Sequence, residues 1–230
     1  MEDRDSRTRQ MIGDKGIAKL RATKVLIVGV GGVGSYVAEA IARAGVGSIT
    51  VVDGDVVSIS NLNRQLVALT STVGRNKAEV MKERIKDINP DCSITAIPKF
   101  YKPEATSGDD AINNLDLAEY DWVIDAIDDV ESKVALIKNA KQQGVNIVSA
   151  MGAAGKFETY FKVADISKTS VCPLAKVVRK RLRAEGIEHL PVVFSEEKPI
   201  PRDGELGSMS YVPGAMGLEL ASYVIKEIVL

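Results

Sequence analysis

An aliphatic run, Val25-Leu26-Ile27-Val28, followed at once by Gly29, Gly31, Gly32 and Gly34, constrains this chain more than any other feature. An unbroken apolar run of that length is the mark of a strand buried on both faces of a parallel sheet. Glycines directly after it permit a tight turn and close approach of backbone N–H groups to a ligand. The pattern from about Val33 to Ala44 then predicts a helix whose positive N-terminus points into the turn. An anion, and above all a nucleotide phosphate, is the expected occupant.

Gly45 and Gly47 suit the end of that helix, and Ser48 to Asp53 reads as a second strand. Together these make a right-handed parallel strand–helix–strand unit. Asp53 falls roughly twenty residues beyond the glycines, where an acidic side chain can hydrogen-bond ribose hydroxyls. Gly29-x-Gly31-x-x-Gly34 with Asp53 also satisfies the dinucleotide fingerprint, so an NAD-dependent oxidoreductase or a nucleotide-binding module stands as an alternative at this point.

The remaining composition narrows the class. With 230 residues, 45% of them hydrophobic and 27% charged, the chain is that of an ordinary globular domain with a sizeable core. A formal net charge of -1 creates no global field for polyanions, so any such partner must meet a local basic patch. The two cysteines, Cys92 and Cys172, form neither a disulfide framework nor a paired CxxC zinc motif. The charged start MEDRDSRTRQ is not a signal peptide and no apolar run suffices to span a bilayer, so a cytoplasmic location is expected.

Residues 1–23 read as a charged N-terminal arm, a solvated terminus with a weak helical pattern around Ile17 and Leu20. After Asp55, the polar cluster Asn61, Asn63, Arg64 and Gln65 interrupts an apolar pattern, and Gly74 to Asn89 predicts a helix with Lys77 in its first turn. A lysine there opposes the helix dipole unless it meets a phosphate. Ser93 to Pro98 predicts a third strand, and Pro103 to Leu117 a polar loop with an irregular helix. Trp122 to Asp125 predicts a fourth strand running into the carboxylates Asp125, Asp128 and Asp129, where open α/β sheets bind ligands. Mg²⁺ beside a triphosphate uses one or two such carboxylates, whereas helix capping from the Glu131 to Gln143 segment would account for one of them. Val145 to Met151 reads as a fifth strand, Phe157 to Val163 as another, possibly antiparallel, and the Val193-to-Pro201 segment as a polar loop. Helices follow from Cys172-Pro173 to about Glu185 and after Pro213; the first carries Lys176, Arg179, Lys180 and Arg183 on its polar side. The expected architecture is α/β, a Rossmann-like and mostly parallel sheet with helices on both faces. Residues 24–167 form the nucleotide-binding domain and 168–230 an extension packed on it.

Taken together, Gly29-x-Gly31-Gly32-Val33-Gly34, Asp53-x-Asp55, Asn61-Leu62-Asn63-Arg64-Gln65, Gly74-x-x-Lys77 and Asp125-Ala-Ile-Asp128 resemble the adenylating domain of the ubiquitin-activating-enzyme and ThiF superfamily. Within it, Ser6-Arg7-Thr8, Ile88-Asn89-Pro90, Pro173-Leu174-Ala175-Lys176 with Arg179, and Val193 to Glu197 are similar to the tRNA threonylcarbamoyladenosine dehydratases. The resemblance covers nearly the whole chain.

That resemblance implies ATP-dependent activation of a carboxylate as an acyl adenylate, and then cyclisation of the threonylcarbamoyl group with loss of AMP. It implies Gly29, Gly31, Gly32 and Gly34 about the phosphates, Asp53 and Asp55 in the nucleotide site, and Asn61, Arg64 and Lys77 on the triphosphate. It further implies Asp128 on Mg²⁺ and a homodimer in which Arg7, or alternatively Arg9, reaches the partner's site. The basic helix face at Lys176, Arg179, Lys180 and Arg183 would contact tRNA. Enzymes that adenylate a ubiquitin-like sulfur carrier are the alternative, although their paired CxxC motifs are absent here. Cys172 is read as an incidental thiol, because reactivity needs a lowered pKa.

Overall fold

In the computed structural model, which describes residues 3–103 and 110–230, the aliphatic run forms β1 (Lys24–Val28), buried from Val25 onward. It is flanked in parallel register by β2 (Ser48–Val52) and β6 (Trp122–Asp125). β3 (Ser93–Ile97) extends one side and β7 (Asn146–Ala150) the other, both parallel. With β8 (Lys162–Asp165) and β9 (Pro191–Phe194), the full order is β3-β2-β1-β6-β7-β9-β8, a seven-stranded sheet. A separate parallel pair joins β4 (Phe100–Tyr101) to β5 (Ala111–Ile112).

Helices cover both faces because the central strands leave no polar side. Val25, Ile27, Val37, Ile41 and Met216 belong to one apolar cluster, and Leu26, Val123, Leu136 and Val178 to the other. α2 (Gly34–Ala44) packs on α6 (Val212–Val229), which also meets α1 (Ser6–Ala22). α3 (Lys77–Ile88) lies beside β3, and α4 (Val130–Gln142) beside α5 (Pro173–Ala184).

Three segments depart from the expectation. Residues 3–22 are not a solvated arm: α1, kinked at Gly13, docks through buried Ile17 and Leu20. The nearly buried Asp5 accepts from Arg21 at 2.7 Å and pairs with Arg4 at 2.8 Å, tying its start to its end. The Val193 segment is not a loop but β9 (Pro191–Phe194), parallel to β7 and antiparallel to β8 (Lys162–Asp165). Residues 157–161 carry no strand, since pairing with β9 begins at Lys162. Part of the predicted 103–117 loop, residues 104–109, lies outside the described residues; beyond it are β5 and a 3-10 turn, Leu117–Glu119.

Under the sheet's carboxyl edge sits a fully buried ion pair. Lys133 Nζ donates to Asp125 Oδ2 at 2.7 Å, to the Ala150 carbonyl at 2.9 Å and to Ser149 Oγ at 3.2 Å. A buried pair offsets its desolvation only when its remaining valences are met, as here, and removing one partner strands the other charge. Lys133→Met is therefore expected to destabilise the protein by about 3 kcal/mol or more, with much of the loss recovered in Lys133→Met/Asp125→Asn. Urea midpoints of the two variants check this; equal destabilisation would contradict it.

Candidate functional site

The carboxyl ends of β1, β2, β6 and β7 open into a cleft of about 690 Å³. Its floor is the glycine turn. Gly29 takes φ 90, and a Cβ on it would lie 2.7 Å from the Ala126 carbonyl oxygen, so only glycine lets β1 pass so close to the β6 loop. Gly34 does not face the cleft: its Cβ would meet the Gly29 oxygen at 1.8 Å, so it brings α2 hard against β1. Gly31 and Gly32 are the glycines left facing the opening, at the start of α2.

Asp53 follows β2 and reaches back to the turn. Its Oδ2 accepts the Val30 N–H at 2.7 Å and its Oδ1 the Asp55 N–H at 2.9 Å. Burial raises its pKa above the ordinary value, against the opposing pull of those N–H groups and Lys77. Asp55, more exposed, accepts from Lys77 Nζ at 2.8 Å. Lys77 opens α3 and is only 5% exposed, so it is no solvated surface lysine; the Asn76 side chain caps the same helix end.

The Asn61–Gln65 turn roofs the glycines. Asn61 lies in the roof rather than on the cleft wall: its Oδ1 accepts the Ser58 N–H, and its carbonyl receives the N–H groups of Arg64 and Gln65. Arg64 lines the cleft, its guanidinium resting on the Ser60 carbonyl at 3.0 Å. Gln65 also lines it, and its buried Oε1 has no hydrogen-bond partner among the described residues. Buried amide oxygens are rarely left so, and this one is available to a ligand donor.

The three carboxylates after β6 separate by role. Asp125 is bound to Lys133, and its other oxygen accepts the Ile127 N–H at 3.0 Å, shaping the loop. Asp129 caps α4 through Ser132, whose hydroxyl and N–H hold its carboxyl below the usual range. Asp128 is exposed, lines the cleft and has no protein partner among the described residues.

Other cleft residues escaped the sequence reading. Lys99, Phe100 and Lys102 follow β3, with Phe100 packed on Gly54, and their place beyond a parallel strand was the available signal. Lys156 is nearly buried; burial lowers its pKa, and its ammonium donates to the Glu197 carbonyl. Cys172, read from the sequence as an incidental thiol, also lines the cleft, buried at the start of α5. Arg7 stands exposed on α1 without a partner among the described residues, whereas Arg9 pairs with Asp3 and Asp14. On α5, Lys176, Lys180 and Arg183 are exposed. Arg179 is not on that open face: its Nη1 donates to the Thr169 carbonyl at 2.9 Å and to the Thr169 hydroxyl.

A raised pKa in the folded state means that protonation of Asp53 favours folding. That contribution is complete below the ordinary value of 3.8 and is lost as pH climbs through the folded value. Relative to Asp53→Asn, the wild-type urea midpoint is thus expected to fall as pH rises from below 3.8 toward neutrality. A pH-independent difference between the two proteins would refute this.

Residues 4–229 match the ThiF family model. The tRNA threonylcarbamoyladenosine dehydratase of Bacillus subtilis is 42% identical over 245 residues, covering 97% of this chain and 93% of its own. The protein of that name from Escherichia coli is 41% identical over 179 residues, 77% of this chain and 65% of its own. The crystal structure of the E. coli dehydratase TcdA in complex with ATP matches with a TM-score of 0.86 at 35% identity, covering 98% of this chain and 93% of that one.

Proposed function

The chain belongs to the ThiF family, and from that premise and the geometry of the cleft we propose an ATP-dependent dehydratase acting on threonylcarbamoyladenosine in tRNA. The observation that carries the reading is that Arg64, Lys77 and Asp128, distant in sequence, meet the glycine turn in one cleft. An NAD site has no use for that set. A triphosphate does, because charge gathering on phosphoryl oxygens is met by fixed cations and N–H dipoles rather than by covalent work.

In the proposed reaction a carboxylate oxygen of the threonylcarbamoyl group bonds to the α-phosphorus of ATP, and the bond to pyrophosphate breaks. The acyl carbon is then attacked from within the same group, the five-membered ring closes and AMP departs. The nucleoside has lost one water. Closure within one substrate enjoys a high effective molarity and needs no enzyme nucleophile, so Cys172 has no required part.

Each residue has a role in this scheme. Gly31 and Gly32 leave room for phosphoryl oxygens at the start of α2, while Gly29 and Gly34 set the turn. Asp53 keeps unused lone pairs for ribose hydroxyls. Arg64 and Lys77 neutralise the phosphates, with Asn61 holding the turn that carries Arg64, and Asp55 holds Lys77 in place until a phosphate shares its charge. Among the described residues no three carboxylate, imidazole or thiol groups form a metal cage, so a cation here takes its ligands mainly from the nucleotide and water. Asp128, the unpartnered cleft carboxylate, fits such an ion. Mg²⁺ bound there would neutralise charge on the phosphates. We further assign a homodimer in which Arg7 reaches the partner's cleft, a cytoplasmic location, and tRNA phosphate contacts for Lys176, Lys180 and Arg183.

Titration calorimetry is expected to detect binding of ATP with Mg²⁺ and none of NAD; tight NAD binding without ATP binding would defeat the proposal. Asp128→Ala is expected to slow tRNA-driven pyrophosphate release on the order of 100-fold. Turnover at the wild-type rate in that variant would remove Asp128 from the mechanism.

A further inference from the structure

Aromatic residues make up only 5% of the chain, and among the described residues those exposed to solvent are Phe157, Tyr160 and Tyr211. Phe157 is 50% and Tyr160 69% exposed, on one short segment. That segment is held in place. Lys156 before it and Phe161 after it are both buried. The N–H groups of Phe157 and Glu158 donate to the two carboxylate oxygens of Glu197, at 2.9 and 3.0 Å. Two rings are thereby displayed on a fixed backbone, which lowers the ordering cost of anything that docks on them.

Their position gives the display a purpose. Residues Gly152 to Ala154 and Lys156 form one stretch of the cleft wall, and Cys172, Pro173 and Leu174 at the start of α5 form another. Phe157 directly follows the first stretch, and Lys176 follows the second by two residues. Along α5, Lys176, Lys180 and Arg183 recur at helical spacing and are exposed, while Arg179 is turned to the Thr169 carbonyl. Exposed aromatic faces and free cations, on two segments that each leave the wall of one cleft, are the combination that binds single-stranded RNA: rings stack unpaired bases and ammonium groups meet the phosphates.

We infer that Phe157 and Tyr160 are a base-stacking platform that holds unpaired bases next to the reacting nucleotide of an RNA substrate at the cleft mouth. The inference rests on the dehydratase reading and names residues for it. A second copy of the chain is the poorer occupant. A two-fold contact centred on these two segments would bring Lys176, Lys180 and Arg183 against their own copies, a like-charge juxtaposition.

The test measures affinity for threonylcarbamoylated tRNA, affinity for ATP, and solution mass. Phe157→Ala and Tyr160→Ala are each expected to weaken tRNA binding about 5- to 150-fold, with ATP affinity and mass unchanged. The salt dependence of tRNA binding should keep its slope in these variants and become shallower in Lys176→Ala/Lys180→Ala. Phe157→Trp should retain affinity, and its emission should be quenched by tRNA; the native Trp122 is 8% exposed and supplies a buried background. Wild-type affinity in the Phe157→Ala/Tyr160→Ala double variant, a change of mass, or a changed salt slope would overturn the platform. Failure of the wild-type protein to bind this tRNA would overturn the dehydratase reading with it.

Discussion

One half-buried carboxylate governs the geometry on which the cleft depends. Asp53 joins the end of β2 to the turn after β1 by accepting the Val30 N–H, and fixes its own exit by accepting the Asp55 N–H. Without that clasp, the N–H groups of the glycine turn would have no reason to keep one orientation, since glycine supplies freedom and not direction. The cost of desolvating that carboxylate, visible in its raised pKa, is offset only in part by two backbone donors. The same residue that a fingerprint assigns to the nucleotide therefore first builds the turn.

The cations of the cleft are held on the same economy. Lys77 is paired with Asp55, Lys102 lies 3.8 Å from Asp129, and Lys156 is bound to a carbonyl. Lys77 and Lys102 thus have carboxylate partners, whereas Lys99 has none among the described residues. Preformed pairs keep long side chains ordered without a ligand, so an incoming polyanion meets charges already in position. Arg64 and Asp128, less engaged, are the groups freer to turn toward it.

Much of this was legible in the sequence where local chemistry is unambiguous. The aliphatic run and glycines gave β1 and the turn, and Trp122 to Asp125 gave β6 to the residue, because buried parallel strands read as apolar runs whatever surrounds them. Three things were hidden. β9 is only four residues long and is a strand because β7 and β8 flank it, which no local pattern reports. Asp125 read as a ligand-facing acid because its partner Lys133 arrives from the next helix, on a side chain with no exposure at all. Arg179 belonged by spacing to the basic face, but the turn before α5 leaves the Thr169 carbonyl in need of a donor, and Arg179 turns to it.

The sheet order explains how one cleft could serve two kinds of chemistry. Connections from β1 run outward through β2 to β3, while those from β6 run the other way through β7 to β9, so the order reverses between β1 and β6. A crevice opens at such a reversal because the loops on its two sides leave in opposite directions. One side supplies the glycine turn, Asp53 and Lys77, all directed at phosphates and a ribose in the proposed reading. The other supplies the Asp128 loop, the small residues after β7 and the start of α5, where a carboxylate-bearing acceptor would enter. Inserting β9 between β7 and β8 widens the sheet on that second side alone. The added width accompanies the stretch around Lys156 and the start of α5 into the cleft wall, so the C-terminal segment extends the sheet that already carries the glycine-turn half of the site.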